Sequence, residues 1–171
     1  MTASVRRYST TMIVIHWLTA ILVLAAYLLS EGGRHVRADP PMLHFAAGIA
    51  VLVLVLPRLV ARLLGGAPPM EDVGGKRIEL AAKAGHLALY ILLVAVPLSG
   101  WYALSQMGIK ASLFGISLPS IAAEVQGKSE VGDIHSLGGN AILILAGLHA
   151  AIALWHHFIR KDNTLRRMKP F

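Results

Sequence analysis

The stretch Ile134–Ile159, which reads IHSLGGNAILILAGLHAAIALWHHFI, decides the fold of this chain. It contains no charged residue and is long enough to span a bilayer as one helix. His135 and His149 are fourteen residues apart in it, about 21 Å along a helix axis. His156 follows seven residues later, a step that keeps one helix face in a bundle. Imidazoles buried in lipid must each find a partner, and this stripe suits two stacked metal centres.

The rest of the composition indicates an integral membrane protein. Of the 171 residues, 56% are hydrophobic, and the mean hydropathy is +0.63. We predict an all-α bundle of four transmembrane helices in a single membrane domain, residues 1–171, with helices at about 9–30, 41–63, 78–105 and 134–159. The first span is not expected to be a cleaved signal peptide, because the residues after it form a poor cleavage site. In the outer loop, residues 106–133, scattered apolar residues predict a short helix on the membrane surface.

The charges predict the orientation. An even number of spans places both termini on one side, and that side collects twelve of the 16 basic residues but four of the nine acidic ones. The basic twelve are Arg6, Arg7, Arg58, Arg62, Lys76, Arg77, Lys83, Arg160, Lys161, Arg166, Arg167 and Lys169. By the positive-inside rule both termini are cytoplasmic. The same rule, together with contact to lipid headgroups, accounts for the basic tail without nucleic acid.

Distances from charged residues sort four histidines into two pairs. His16 and His149 lie about 14 and 16 Å from the inner charged boundary, and His44 and His135 about 8 and 3 Å from the outer one. Within each pair the partners belong to different helices, so a flat macrocycle fits between them. We therefore predict two b-type haems, each with two axial histidines: an inner pair, His16 and His149, and an outer pair, His44 and His135.

Two alternatives stay open for these histidines. A single intramembrane histidine is often only a hydrogen-bond partner between helices. Zinc is the competing metal, but it prefers clustered tetrahedral ligands, which two separated pairs do not offer. The chain has no cysteine, which excludes iron–sulfur ligation by thiolate and covalent haem attachment.

Two further histidines are expected below the inner pair, near the cytoplasmic headgroups. His86 lies about 4 Å past Lys83, and His156 about 6 Å before Arg160. Either could donate a hydrogen bond to a quinone carbonyl, with Lys83 marking an end wet enough to supply protons. Solvation by headgroups is the plainer interpretation, and His86 is also a rival ligand for the inner haem.

These residues together resemble the bacterial cytochrome b561 family over essentially the whole chain. The resemblance is carried by Ile15-His16-Trp17-Leu18, His44, Gly85-His86-Leu87, the His135–His149 spacing, and the end from His156-His157-Phe158 to Lys161-Asp162-Asn163-Thr164-Leu165. Within the family the chain is most similar to the small stand-alone type that oxidises superoxide. The resemblance implies a multi-pass protein of the bacterial inner membrane with two haems b.

The resemblance also implies a reaction. Superoxide would be oxidised at the periplasmic face and ubiquinone reduced in the membrane. Independently of the resemblance, the charges of Arg34, Arg37, Lys110 and Lys128 on the outer side could attract the superoxide anion. Lipid, superoxide and ubiquinone are the expected partners, with no obligatory protein partner. The alternative is an electron-relay subunit of a membrane-bound dehydrogenase or hydrogenase, since such relatives share the histidine pairs.

Overall fold

A computed structural model describes residues 7–30, 41–65, 68, 75–113, 115–126 and 129–170, and it is a bundle of four helices. They are α1 (Thr10–Leu28), α2 (Met42–Gly65), α3 (Lys76–Gln106) and α4 (Glu130–Trp155), which a π-helical turn, His156–Arg160, extends. Each helix is long and apolar enough to cross a membrane, which confirms the predicted four-transmembrane fold. The helix bounds differ from those predicted by one to four residues.

Serine side chains begin two of the helices. Ser9 accepts a hydrogen bond from the Met12 amide at 3.3 Å, and Ser129 accepts one from the Gly132 amide at 3.2 Å. Each satisfies an amide that has no partner within the helix, which is why serine is favoured at this position. Ser129 also donates to Gln106 at 2.7 Å and so ties the start of α4 to the end of α3.

The centre of the bundle is a small apolar core. Val51 and Val55 of α2 pack there with Leu93 of α3 and Ile142 of α4. The outward faces carry large exposed apolar side chains, and Leu63 and Leu64 are more than 80% exposed. Such a surface is stable in hydrocarbon, where apolar side chains need no burial in protein.

The outer loop forms a β-hairpin, so the predicted surface helix was wrong for its described residues, 107–113, 115–126 and 129. Strands β1 (Ser112–Leu113) and β2 (Ile116–Ser117) pair antiparallel. Gly108 and Gly115 adopt φ angles of 71° and 82°, left-handed values that glycine tolerates and that interrupt a helix. The loop still covers the bundle end, because Ala111 is buried against α2 and α3.

The C-terminal tail folds back onto α1. The Trp17 indole donates to the Met168 carbonyl at 2.8 Å, and the Tyr8 amide donates to the Arg167 carbonyl at 3.2 Å. Both described chain ends therefore lie at the same end of the bundle. Two connections of the sequence interpretation, residues 31–40 and most of the 65–75 linker, lie outside the described residues.

Candidate functional site

The outer pair of histidines meets across the bundle. His44 of α2 and His135 of α4 place their Nε2 atoms 3.4 Å apart. A metal–imidazole bond is about 2 Å long, so one metal bound by both rings sets these atoms about 4 Å apart. The observed separation is close to that value.

Hydrogen bonds at Nδ1 set the tautomer of both outer rings. His44 Nδ1 donates to the Ala26 carbonyl at 2.7 Å, and His135 Nδ1 donates to the Val96 carbonyl at 2.9 Å. Ala26 is one of the last four residues of α1, whose carbonyls have no amide partner in the helix. A carbonyl only accepts, so both Nδ1 atoms carry the proton and both Nε2 lone pairs are available. Metal-binding histidines in proteins use this arrangement.

A cavity of about 830 Å³ adjoins the outer pair, and both of its rings line it. This volume lies in the range of cofactor sites. Four of its lining residues are glycines: Gly48, Gly100, Gly132 and Gly139. A Cβ at Gly100 would lie 2.8 Å from His135 Cε1, so this position has no room for a side chain. A Cβ at Gly139 would meet nothing within 4 Å and would project into open space.

The inner site takes one residue from each helix: His16, Arg58, His86 and His149. The ring centres of His16 and His149 are 6.3 Å apart, and those of His86 and His149 are 5.3 Å apart. His86 therefore lies beside His149, and its expected position below the inner pair was wrong. The boundary residue used for that depth, Lys83, has a largely exposed ammonium paired with Glu79 at 2.5 Å. A long lysine side chain reaches toward the headgroups and does not mark the depth of its own Cα.

Different partners at Nδ1 set the tautomers of His16 and His86. Its Nη2 donates to His16 Nδ1 at 2.8 Å, so in this arrangement His16 Nε2 carries the proton. His86 Nδ1 instead donates to the Ala82 carbonyl at 2.8 Å, which leaves its Nε2 lone pair available. Spacing favours His16 with His149, because two imidazoles on one metal place their ring centres about 6 Å apart. The tautomers instead favour His86 and His149 as the two ligands, because the Nε2 lone pair of His86 is available and that of His16 is not.

Comparison with known proteins identifies the family. The model for prokaryotic cytochrome b561 matches residues 7–171. The chain is 37% identical to a probable superoxide oxidase, CybB, of Yersinia pestis, over 96% of this chain and 97% of that protein. It is 32% identical to cytochrome b561 homolog 2 of Escherichia coli strain K12, over 95% and 90%, and 30% identical to cytochrome b562 of Cereibacter sphaeroides, over 94% of each.

The chain belongs to the prokaryotic cytochrome b561 family. Cytochromes of this family bind b-type haem, and the residues present fit that group. At the outer pair two Nε2 lone pairs face each other beside a cavity with a glycine wall. The donors are imidazoles, which are common axial ligands of haem and need no cysteine.

The residues expected to serve a quinone make separate contacts in the structure. His86 joins the inner site, and Lys83 pairs with Glu79. His156 is buried in the π-helical turn, where its Nδ1 forms a short hydrogen bond with Asp162 Oδ2. Partial burial raises the pKa of the Asp162 carboxyl, but the hydrogen bonds from His156 and Thr164 outweigh this effect and lower it overall. Asp162 is therefore ionised at neutral pH and holds His156 in one orientation.

The residues expected to attract superoxide are only partly described. Arg34, Arg37 and Lys128 lie outside the described residues, whereas Lys110 is exposed in the outer loop.

Sequence reasoning missed two site residues. Arg58 was interpreted as a helix-end residue reaching toward the membrane surface, although its position four residues before Arg62 marked a cationic helix face. Asp162 lies in the Lys-Asp-Asn-Thr-Leu motif that carried the family resemblance, six residues after His156, but no role was assigned to it.

Proposed function

We propose that this chain is a di-haem b-type cytochrome that oxidises superoxide at the periplasmic face of the bacterial inner membrane and reduces ubiquinone within it. One observation carries the proposal. On α4, His135 and His149 are about 21 Å apart, and each faces a histidine of another helix. Two one-electron sites in line across a membrane suit transfer from a periplasmic donor to an acceptor near the cytoplasmic side. The name of the Yersinia pestis relative supports superoxide as that donor.

The reaction balances with two molecules of superoxide for each ubiquinone. Each superoxide gives one electron and leaves as dioxygen, and ubiquinone takes two electrons and two protons to become the quinol. Haem, when bound, supplies one-electron transfer. We assign the outer haem to His44 and His135, and the inner haem to His16 and His149 with His86 as the rival ligand.

The charged residues act at the two faces. By the predicted topology, twelve of the 16 basic residues fall on the side of the termini, which supports cytoplasmic termini. At the other face Arg34, Arg37, Lys110 and Lys128 would attract the superoxide anion. Removing their charge would slow haem reduction and flatten its dependence on salt.

Protons for the quinone would come from the cytoplasmic end. His156 is the main candidate, because in its protonated form Nδ1–H would donate to Asp162 and Nε2–H would donate to a quinone carbonyl. His86 and Lys83 are the other candidates, and Lys83 lies where water can reach its ammonium.

A second candidate function is electron relay for a partner dehydrogenase or hydrogenase, since two of the relatives are named simply as cytochromes. The test uses purified protein without any partner, exposed to a steady flux of superoxide in the presence of a soluble ubiquinone. We expect the haem absorption bands to show reduction and quinol to form, and added superoxide dismutase should abolish both. Haems that dithionite reduces but superoxide does not would favour the relay function.

A further inference from the structure

Two arginine side chains of α2 stack on one tyrosine at the inner site. The guanidinium of Arg58 lies 5.4 Å from the centre of the Tyr90 ring, and that of Arg62 lies 5.8 Å from it. The two arginines are four residues apart, so they share a helix face. Stacking on the ring holds both cations in place at the inner end of the bundle.

These cations lack an anionic partner in the described part of the chain. No described carboxylate forms an ion pair with Arg58 or Arg62. Arg58 Nε is buried and has no hydrogen-bond partner, although Nη2 of the same group donates to His16. A buried N–H without an acceptor is costly, so the Arg58 Nε–H and the two neighbouring positive charges favour an anion with several acceptor oxygens.

We propose that Arg58 and Arg62 bind the propionate carboxylates of the inner haem. The inference rests on the proposed function, which places a haem at His149 and His16. Arg58 already contacts His16, so an anion bound to its free Nε–H would lie next to that haem. Haem b carries two carboxylates, and the planar guanidinium pairs with a carboxylate through two parallel hydrogen bonds.

A lipid phosphate shares this anion chemistry and is the other source to be distinguished. Arg58 donates to a candidate haem ligand within the bundle and is half-buried, which favours the haem.

The first test compares Arg58→Gln, Arg62→Gln and the double variant with the matched control Arg77→Gln, which removes an exposed arginine at the start of α3. The readout is the midpoint potential of each haem in a spectroelectrochemical titration. A nearby positive charge favours the reduced haem, which carries one positive charge fewer than the oxidised haem. Loss of that charge should therefore shift the midpoint potential of the inner haem to lower values. The outer haem and the Arg77→Gln protein should keep the wild-type potentials. Arg58→Lys, which keeps the charge but not the fork, should give a smaller shift.

The second test removes the charge from the ligand and does not depend on the variants folding. Wild-type protein, stripped of haem and reconstituted, should bind haem about tenfold or more tightly than haem dimethyl ester at the inner site. The double variant should discriminate less.

An unchanged inner potential in Arg58→Gln protein with full haem content would overturn the proposal. Loss of copurified phospholipid in that variant, with the inner potential unchanged, would assign the arginines to lipid. A wild-type protein that holds one haem would instead overturn the proposed function.

Discussion

At the scale of single residues, the orientation of four imidazoles is set by the partners of their Nδ1 atoms. His44, His86 and His135 each donate to a backbone carbonyl, and their Nε2 atoms are left to accept or to ligate. His16 differs, because its Nδ1 accepts from Arg58. The hydrogen bond of a ligating histidine fixes its tautomer and its basicity, so these four contacts control what each ring can bind.

The outer pair gives the first prediction. Replacing His44 or His135 with alanine should remove the outer haem and leave the inner one, since each ring supplies one of two axial ligands. A pyridine haemochrome assay should then fall from two haems per chain to one. The matched control is His157→Ala, which lies outside both pairs and should keep both haems. A wild-type content of one haem per chain would contradict the two-site arrangement.

The inner site gives the second prediction. We expect His16→Ala and His149→Ala to lose the inner haem and His86→Ala to keep it, because the 6.3 Å ring separation of the first two suits one metal between them. The measurement is the low-temperature absorption spectrum, in which the two haems are followed separately. Should His86→Ala lose the inner haem while His16→Ala retains it, the ligands are His86 and His149, as the tautomers favour.

The buried hydrogen bond of His156 gives the third prediction. His156→Ala should slow quinone reduction about a hundredfold, the usual scale for loss of a general acid, while haem reduction by superoxide stays near wild type. Asp162→Asn should cause a smaller loss, because an amide holds the ring less firmly than a carboxylate. The pKa of the Asp162 carboxyl is lowered from its ordinary value near 4, so this group stays ionised at neutral pH. The contact with His156 is therefore present at neutral pH and is lost only when the pH falls through the lowered pKa. Equal slowing of both half-reactions would argue that His156 serves the fold and not the quinone.

At the scale of elements, the approach of α3 to α4 depends on a missing side chain. Gly100 of α3 leaves room for the His135 ring of α4, whose Nδ1 reaches the Val96 carbonyl on the preceding turn of α3. The Ser99 hydroxyl oxygen lies 3.3 Å from His135 Nδ1. Helix packing and ligand orientation are therefore coupled at this crossing.

This crossing gives the fourth prediction. Gly100→Ala places a Cβ 2.8 Å from His135 Cε1, so the ring must move and the outer haem should be lost or shifted in its spectrum. Gly85→Ala is the matched control on the same helix, because its Cβ meets nothing within 4 Å. It should keep both haems and gain up to about 1 kcal/mol of stability from helix propensity. Wild-type spectra for both variants would show that the ring has space to spare.

At the scale of the whole molecule, the two ends of the bundle differ in charge and in the segment that packs over the helices. Among the described residues, the end with the termini carries most of the basic ones. It also carries the tail that folds onto α1, where the Trp17 indole donates to the Met168 carbonyl. The opposite end carries the hairpin loop over α2 and α3. This polarity underlies the proposed direction of electron flow.

The orientation gives the fifth prediction. The chain has no cysteine, so Ser112→Cys in the outer loop and Lys76→Cys at the start of α3 each create a single thiol at an exposed position. In intact cells an impermeant maleimide should label the first and not the second, and both should react once the membrane is opened. Labelling of the second alone would invert the assignment and place the superoxide site in the cytoplasm.

The sequence by itself determined the four membrane helices, the family and the existence of histidine stripes, because hydropathy, helix length and residue spacing are properties of each segment alone. It also placed His44 and His135 near one level, since both follow closely on charged residues at the outer boundary. Only the tertiary structure brought His86 beside His149, Arg58 onto His16 and Asp162 onto His156, and formed a hairpin in the outer loop. These contacts depend on the rotation of each helix about its axis and on where long side chains reach, and residue spacing along one helix leaves both undetermined.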